Sequence, residues 1–202
     1  MAVGYAAEPA AAPQNPVQPD DPAWRDLRDA FARRPAAGVS DFEERRWFTF
    51  KKTPTVLHGV ARVSTERGLS LAYAGPPARI VIIDDRGLLL REAGRDSVPP
   101  ADVRTGGPDG VLLHLLRFDL KALAEEFDIS GERTGAAWSL TLLPRTEALR
   151  RTLGQIAVAG EGTDVRRIEL RRSATQRVEI LIAPPQRLGA PFTADELRLF
   201  FR

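Results

Sequence analysis

The sequence contains no cysteine. That excludes disulfides, thiolate catalysis and cysteine-ligated metals, and leaves the redox compartment open. Histidine is scarce, with only His58 and His114 in 202 residues. Lysine is nearly absent. Lys51, Lys52 and Lys121 are three of 29 basic residues, so arginine carries the positive charge. Such a skew points to a GC-rich coding sequence more than to nucleic-acid binding. The net charge of +2 cannot drive strong counterion release, so no nucleic-acid partner is expected. No apolar run approaches the roughly 20 residues of a membrane-spanning helix. What is present is an ordinary globular composition, 43% hydrophobic and 28% charged, at a length that suits one domain.

Residues 1–20 are rich in proline and alanine and lack apolar periodicity, so a disordered tail is expected there, with a single domain over residues 21–202. The tail has neither the basic region nor the long apolar run of a signal peptide. Ala6 and Ala7 fit the mature side of a cleavage site, which would make this the segment after a removed signal. A disordered cytosolic tail fits the same residues.

Order is expected from "DPAWRDLRDAFARRP". Asp21 can cap, Pro22 suits the first helical position, and Trp24, Leu27 and Phe31 share one face until Pro35. Strand-like segments follow at 41–50, 55–65 and 69–74, with turn signals at short intervals, as in an antiparallel meander. "RIVIIDDRGLLLREAG" then reads as a hairpin around "DDRG". Its strands are apolar at consecutive positions, so both faces of the hairpin need cover.

The middle of the chain changes character. "SVPPADVRTGGPDG" reads as loop, and "DGVLLHLLRFDLKALAEEF" as two short helices. The first is apolar all round except for His114, so it is expected to be buried. The second is capped by Asp119 and has a stripe of Leu120, Leu123, Ala124 and Phe127. Strands return with "FDISGERT" and "AAWSLTLLP", hinged at Gly135. After a helix ending at Gly154 come "QIAVAGEG", "DVRRIELRR" and "QRVEILIA". The last segment, "TADELRLFF", has capping-box spacing at Thr193 and Glu196. Its Leu197, Phe200 and Phe201 would either pack on the edge of the sheet or bind a partner.

Enzyme signals are thin, and no catalytic residue, metal site or cofactor is expected. No Gly-x-Ser-x-Gly elbow, phosphate loop or His-Glu-x-x-His occurs. "GEGTDV" precedes a strand and reads as a turn. Asp84 and Asp85 are adjacent at a strand end, so their side chains should point apart. The arginines of "RRIELRRSATQR" could meet lipid phosphates or a partner, although such runs are commonly a solvated strand face.

The order of elements resembles the periplasmic lipoprotein carrier (LolA) family, in its LolA-like branch. The resemblance rests on the amphipathic helix 22–34, Phe42 and Glu44 in "FEERRWFTF", and the glycine-bearing strand "LHGVARVS". The strand after "ERG", the hairpin with its Asp-Gly-type turn, the helical insert and the block "WSLTLLPRTEALRRTLGQIAVAG" complete it. It covers residues 22–183. It implies an α+β fold, a curved antiparallel sheet forming a half-open barrel with short helices over its concave face.

The same resemblance implies a monomeric periplasmic carrier that holds acyl chains of a lipoprotein or other lipid and passes them between membrane-anchored donor and acceptor proteins. Relatives of the fold also serve as envelope sensors that bind a membrane-protein partner, and that alternative stays open. The expected cavity lining is Leu69, Leu71, Tyr73, Ile80, Ile82, Leu88, Leu90, Leu112, Leu113, Leu116 and Leu120. Each alone reads as ordinary core, and the set shared between sheet and insert favours a cavity. Carriers often open the third strand with Arg-Pro, the arginine holding the helical lid. Here Arg67 precedes Gly68, which makes Arg67 the candidate latch.

Overall fold

The computed structural model describes residues 15–98 and 108–202. Its strands form one antiparallel sheet, and the elements follow the predicted order. A 3-10 turn, Pro22–Trp24, leads into α1, Arg25–Ala32. The Asp21 carboxylate accepts a hydrogen bond from the Ala23 N–H, which caps the turn as the sequence suggests. Six strands follow: β1 Ala37–Trp47, β2 Thr55–Ser64, β3 Gly68–Tyr73, β4 Arg79–Asp84, β5 Gly87–Glu92 and β6 Arg95–Ser97. Then come α2, Pro108–Arg117, and α3, Leu120–Glu126. The rest is β7 Phe127–Thr134, β8 Ala137–Pro144, α4 Glu147–Thr152, β9 Gln155–Glu161, β10 Asp164–Arg171, β11 Arg177–Ile182, β12 Arg187–Leu188 and α5 Ala194–Phe200.

The spatial order is β6-β5-β4-β3-β2-β1-β11-β10-β9-β8-β7, with β12 also pairing to β1. The two end strands, β6 and β7, do not pair, so the barrel is half-open. They are neighbours in sequence, joined through α2 and α3. The connection between the sheet's two free edges therefore runs through the helical insert, and α2 lies against β4 and β5.

Capping explains the short helices. Asp119 accepts from the Ala122 N–H at the start of α3, and Thr146 from the Leu149 N–H at the start of α4. Thr193 and Glu196 form a complete capping box on α5. Phe127 belongs to β7 rather than to the helical stripe, because the chain turns extended at that residue. Most of the expected loop before α2 lies outside the described residues.

The concave face holds the main core. Leu27 and Phe31 of α1, with Trp24, are buried against β7 and β8. Phe118, between α2 and α3, stacks on Phe31 at 4.5 Å and meets Trp138 edge-on at 5.2 Å. The two sequence features that carry the phenylalanine and glycine parts of the resemblance lie directly opposite each other, Phe42 on β1 and Gly59 on β2. The Phe42 ring covers the space a side chain at 59 would need, and meets Tyr73 edge-on at 5.1 Å.

The hairpin β4–β5 is covered twice. Pairing of Leu69 with Ile83 and Leu71 with Val81 puts these residues on the concave face, under α2. Ile80, Ile82 and Leu89 therefore face outward. Ile82 and Leu89 are nevertheless buried, apart from the main core cluster. The cover on this side is the C-terminal segment. Arg91 donates to the carbonyls of Arg198 and Leu199, the Arg62 guanidinium lies 3.5 Å from the centre of the Phe200 ring, and Phe201 is 1% exposed. Arg202 forms a bidentate pair with Asp84, with both contacts at 2.7 Å. Docking, one of the two roles expected of "TADELRLFF", is what the structure shows.

Further along the convex face the strands are charged. Arg167 bonds Glu179 and Glu169, Arg171 bonds Glu169, and Arg45 bonds Glu43. The solvated strand face, one of the readings of "RRIELRRSATQR", thus takes the form of a ladder of cross-strand and same-strand ion pairs.

At the N-terminal side the packed chain begins before residue 21. Pro16 bridges Ser130, the Val17 N–H donates to the Ile129 carbonyl at 2.8 Å, and Val17 is 5% exposed. Part of the expected tail thus covers the free edge of β7. A chain starting at Asp21 should melt roughly 3–12 °C below one starting at Asn15, the loss expected for exposing one buried valine. Equal melting temperatures in a thermal scan would show that this edge strand contributes nothing.

Candidate functional site

Two chambers lie between α2 and the concave wall of the sheet. The larger, about 420 Å³, is lined by Tyr73, Val81, Ile83, Leu88, Leu170 and Val178, among others. The smaller, about 100 Å³, lies toward the other end of β1, lined by Gly38, Ala61, Val63, Leu69, Ile168 and Leu188 with others. Leu71, Leu112 and Ile180 belong to both walls. Leu116 of α2 lines only the smaller chamber.

Six expected lining residues are therefore brought together: Leu69, Leu71, Tyr73, Leu88, Leu112 and Leu116. Five are not. Ile80 and Ile82 lie on the opposite face from Leu69 and Leu71, since paired residues of an antiparallel ladder share a face. Val81 and Ile83 stand in their place. Leu90 pairs with Val81 on the concave side but reaches neither chamber. Leu113 and Leu120 are buried in the main core and contribute to packing rather than to the walls. Of the residues missed on β10 and β11, Ile168 alternates with charged neighbours while Ile180 sits in a consecutive apolar run, and nothing local says which concave surface either joins.

The larger chamber has a polar patch on its wall. Glu44 is 3% exposed, and its carboxylate accepts hydrogen bonds from Arg46 Nε and from the Tyr73 hydroxyl, the latter at 2.5 Å. A buried carboxylate left without such partners would be costly. Burial, then the Glu44 charge, pushes the Tyr73 phenol well above its ordinary range, so it remains a donor. The Arg79 guanidinium covers the Tyr73 ring at 4.5 Å. At the rim stand Arg172, Gln176 and Arg177, with Arg177 lying 4.0 Å over Trp47. His114 sits half-buried on α2, its Nδ1 3.3 Å from the Asp119 carboxylate.

The lid contact differs from the expected one. Arg67 occupies the exposed β2–β3 turn, where its backbone N–H donates to Ser64 Oγ. Among the described residues its side chain makes no ion pair with a helix. The arginine that ties α2 to the sheet is instead Arg117, at the end of that helix, which donates to both Asp85 oxygens at 2.8 and 3.4 Å. Asp84 and Asp85 do point apart, as expected. Asp84 clamps the C-terminal segment outside, and Asp85 clamps α2 inside.

A half-open antiparallel sheet with helices across its concave face and an apolar chamber beneath them is the architecture that the resemblance in the sequence implies. No protein-family model matches the sequence, and no curated relative does. Among solved structures the chain is similar to a LolA superfamily protein from Nitrosomonas europaea, at 6% identity and a TM-score of 0.41, covering 86% of this chain and 96% of that one. It is similar to a DUF1329 family protein from Desulfovibrio piger, at 10% identity and a TM-score of 0.46, covering 87% and 95%. It is also similar to a chain of the MucA/MucB complex of Pseudomonas aeruginosa, at 16% identity and a TM-score of 0.41, covering 87% of this chain and 59% of that one. These are likenesses of chain path, and the reading of the site rests on its own geometry.

Two outcomes follow from these contacts. Tyr73→Phe removes a donor from a buried carboxylate and should cost about 1–3 kcal/mol in chemical denaturation; no loss would mean that water replaces the hydroxyl. The Arg117 hydrogen bond holds the Asp85 carboxyl below its usual range. The pair's contribution is therefore complete above the unfolded-state value near 3.9 and is lost as pH falls through the lower folded value. Asp85→Asn should mimic that loss at neutral pH. Because the pair is surface-exposed, the melting temperature should barely move, while amide exchange in α2 should quicken. Unchanged exchange would show that the pair does not hold the helix.

Proposed function

We propose that this chain is a carrier that shelters the acyl chains of a lipoprotein or another lipid and passes them between membrane-anchored partners in the periplasm. The larger chamber is the observation that supports this reading. At about 420 Å³ it falls within the range of small-molecule sites, and its wall is mostly apolar, aliphatic and aromatic, with a few convergent polar groups. Each methylene moved from water into such a space contributes roughly 0.8 kcal/mol, so capture needs no directional chemistry. The Glu44, Arg46 and Tyr73 patch offers hydrogen-bonding groups to the polar end of an amphiphile. Loading and release require α2 to shift. That helix is tied at its end by the exposed Arg117–Asp85 pair, a contact weak enough to open.

On this reading the protein binds and releases its cargo without altering it, and needs no cofactor. Among the described residues no helix is long and apolar enough to cross a membrane. Handover would then depend on partners that are themselves anchored.

Leu112 gives the test, because it lines both chambers. Leu112→Trp should fill the shared wall and abolish binding of a fluorescent fatty acid that the unmutated protein binds. Leu113→Ala should leave the chambers in place and cost about 2–5 kcal/mol of stability as a core truncation. An organic extract of the natively purified protein should contain stoichiometric lipid by mass spectrometry. Absence of both probe binding and extracted lipid would overturn the carrier. A stoichiometric membrane-protein partner recovered without lipid would favour the envelope sensor instead.

A further inference from the structure

The mouth of the larger chamber carries an unusual surface. Phe50, in the β1–β2 loop, is 88% exposed, far more than any other large apolar side chain among the described residues. Lys51 and Lys52 follow it, two of the three lysines in the sequence. Phe50 stacks on Phe48 at 5.5 Å and 20°, and Phe48 lines the chamber. The neighbouring β10–β11 loop is tied to this one by a hydrogen bond between Thr175 and Thr49 at 3.4 Å. It brings Arg172 and Arg177, which form no ion pair among the described residues. Neither 47–55 nor 171–178 contains an aspartate or glutamate. On the convex face, by contrast, arginines and glutamates are interlaced in ion pairs. Among the described residues, the open end of the chamber is thus where exposed aromatic surface and acid-free positive charge coincide.

An isolated exposed apolar residue is ordinary on a protein surface. One at a loop tip, flanked by lysines whose stems can lie along an apolar boundary while their ammonium groups stay in water, has the composition of an interfacial anchor. We infer that the β1–β2 loop docks the chamber mouth onto an anionic lipid bilayer, with Phe50 entering the headgroup boundary and Lys51, Lys52, Arg172 and Arg177 facing the lipid phosphates. Charge complementarity selects this occupant, because the patch offers cations and no carboxylate. The docked orientation also gives continuity. On the carrier reading above, an acyl chain leaving the bilayer meets Phe50, then Phe48, then the chamber wall, without crossing bulk water.

The test is co-sedimentation of the full chain with vesicles containing about one-third phosphatidylglycerol in phosphatidylcholine, compared with phosphatidylcholine alone. The protein should bind the anionic vesicles and be released as salt shortens the Debye length from about 10 Å to about 3 Å. Each basic residue near an anionic surface strengthens binding roughly fivefold, so Lys51→Gln with Lys52→Gln should weaken it roughly 25-fold. Phe50→Ala should weaken it roughly tenfold. All these variants should retain their melting temperature and fatty-acid probe affinity, because none of the three side chains lines a chamber. No binding to anionic vesicles, or equal binding to neutral ones, overturns the docking. So does binding unaffected by the substitutions, and in each of these cases an intact probe affinity leaves the carrier reading standing. Vesicle binding with no probe affinity supports the docking and removes the carrier.

Discussion

The β4–β5 hairpin is apolar on both faces and belongs to a sheet one layer thick. Neither face can be left in water, so the hairpin needs two covers, and the turn that joins its strands holds both. Asp84 pairs with Arg202 and secures the C-terminal segment over Ile82 and Leu89. Asp85, the next residue, pairs with Arg117 and ties α2 over the inner face. Adjacent residues at a strand end point in different directions, which lets one Asp-Asp dipeptide serve two layers. The two covers differ in kind. The outer one is a capped helix ending in a buried phenylalanine. The inner one leaves space beneath it, because α2 spans a curved wall that its leucines only partly fill.

That inner space is organised by charge as well as by shape. Outside, Arg45 of β1 and Arg167 and Arg171 of β10 are taken up by the glutamates of β1, β10 and β11. Inside, the buried Glu44 carboxylate accepts hydrogen bonds from Arg46 and Tyr73, which makes a polar patch on a mostly apolar wall. At the mouth Arg172 and Arg177 form no ion pair among the described residues. Interior, rim and outer face therefore present three different chemistries, arranged along strands that run from one to the next.

Much of this order was legible along the chain. The caps at Asp21, Asp119, Thr146 and Thr193 act locally, through side chains that reach N–H groups two or three residues on. The all-apolar helix "GVLLHLL" announced its own burial. The lining was legible only in part. In "RIVII" four apolar residues are consecutive, so the sequence carries no parity. A shift of one residue exchanges Ile80 and Ile82 for Val81 and Ile83. What decides it is the register with β3, set by the pairing of Leu71 with Val81. Arg67 failed as a latch for a related reason. A turn residue can be aligned with a family motif, but reach to a helix depends on where that helix lies.

Composition and periodicity by themselves determined that the chain makes antiparallel strands interrupted by a greasy helical pair, because turn residues and apolar spacing act over a few neighbours. They also determined that the hairpin needs two covers. Only the tertiary structure decided which elements supply them, and that β1 meets β11 across more than a hundred residues. It alone decided that Leu112 faces open space while Leu113 is locked in core. Those outcomes depend on the curvature of the whole sheet and on the gap between β6 and β7. Both are sums over every strand's twist and register, which no local stretch contains.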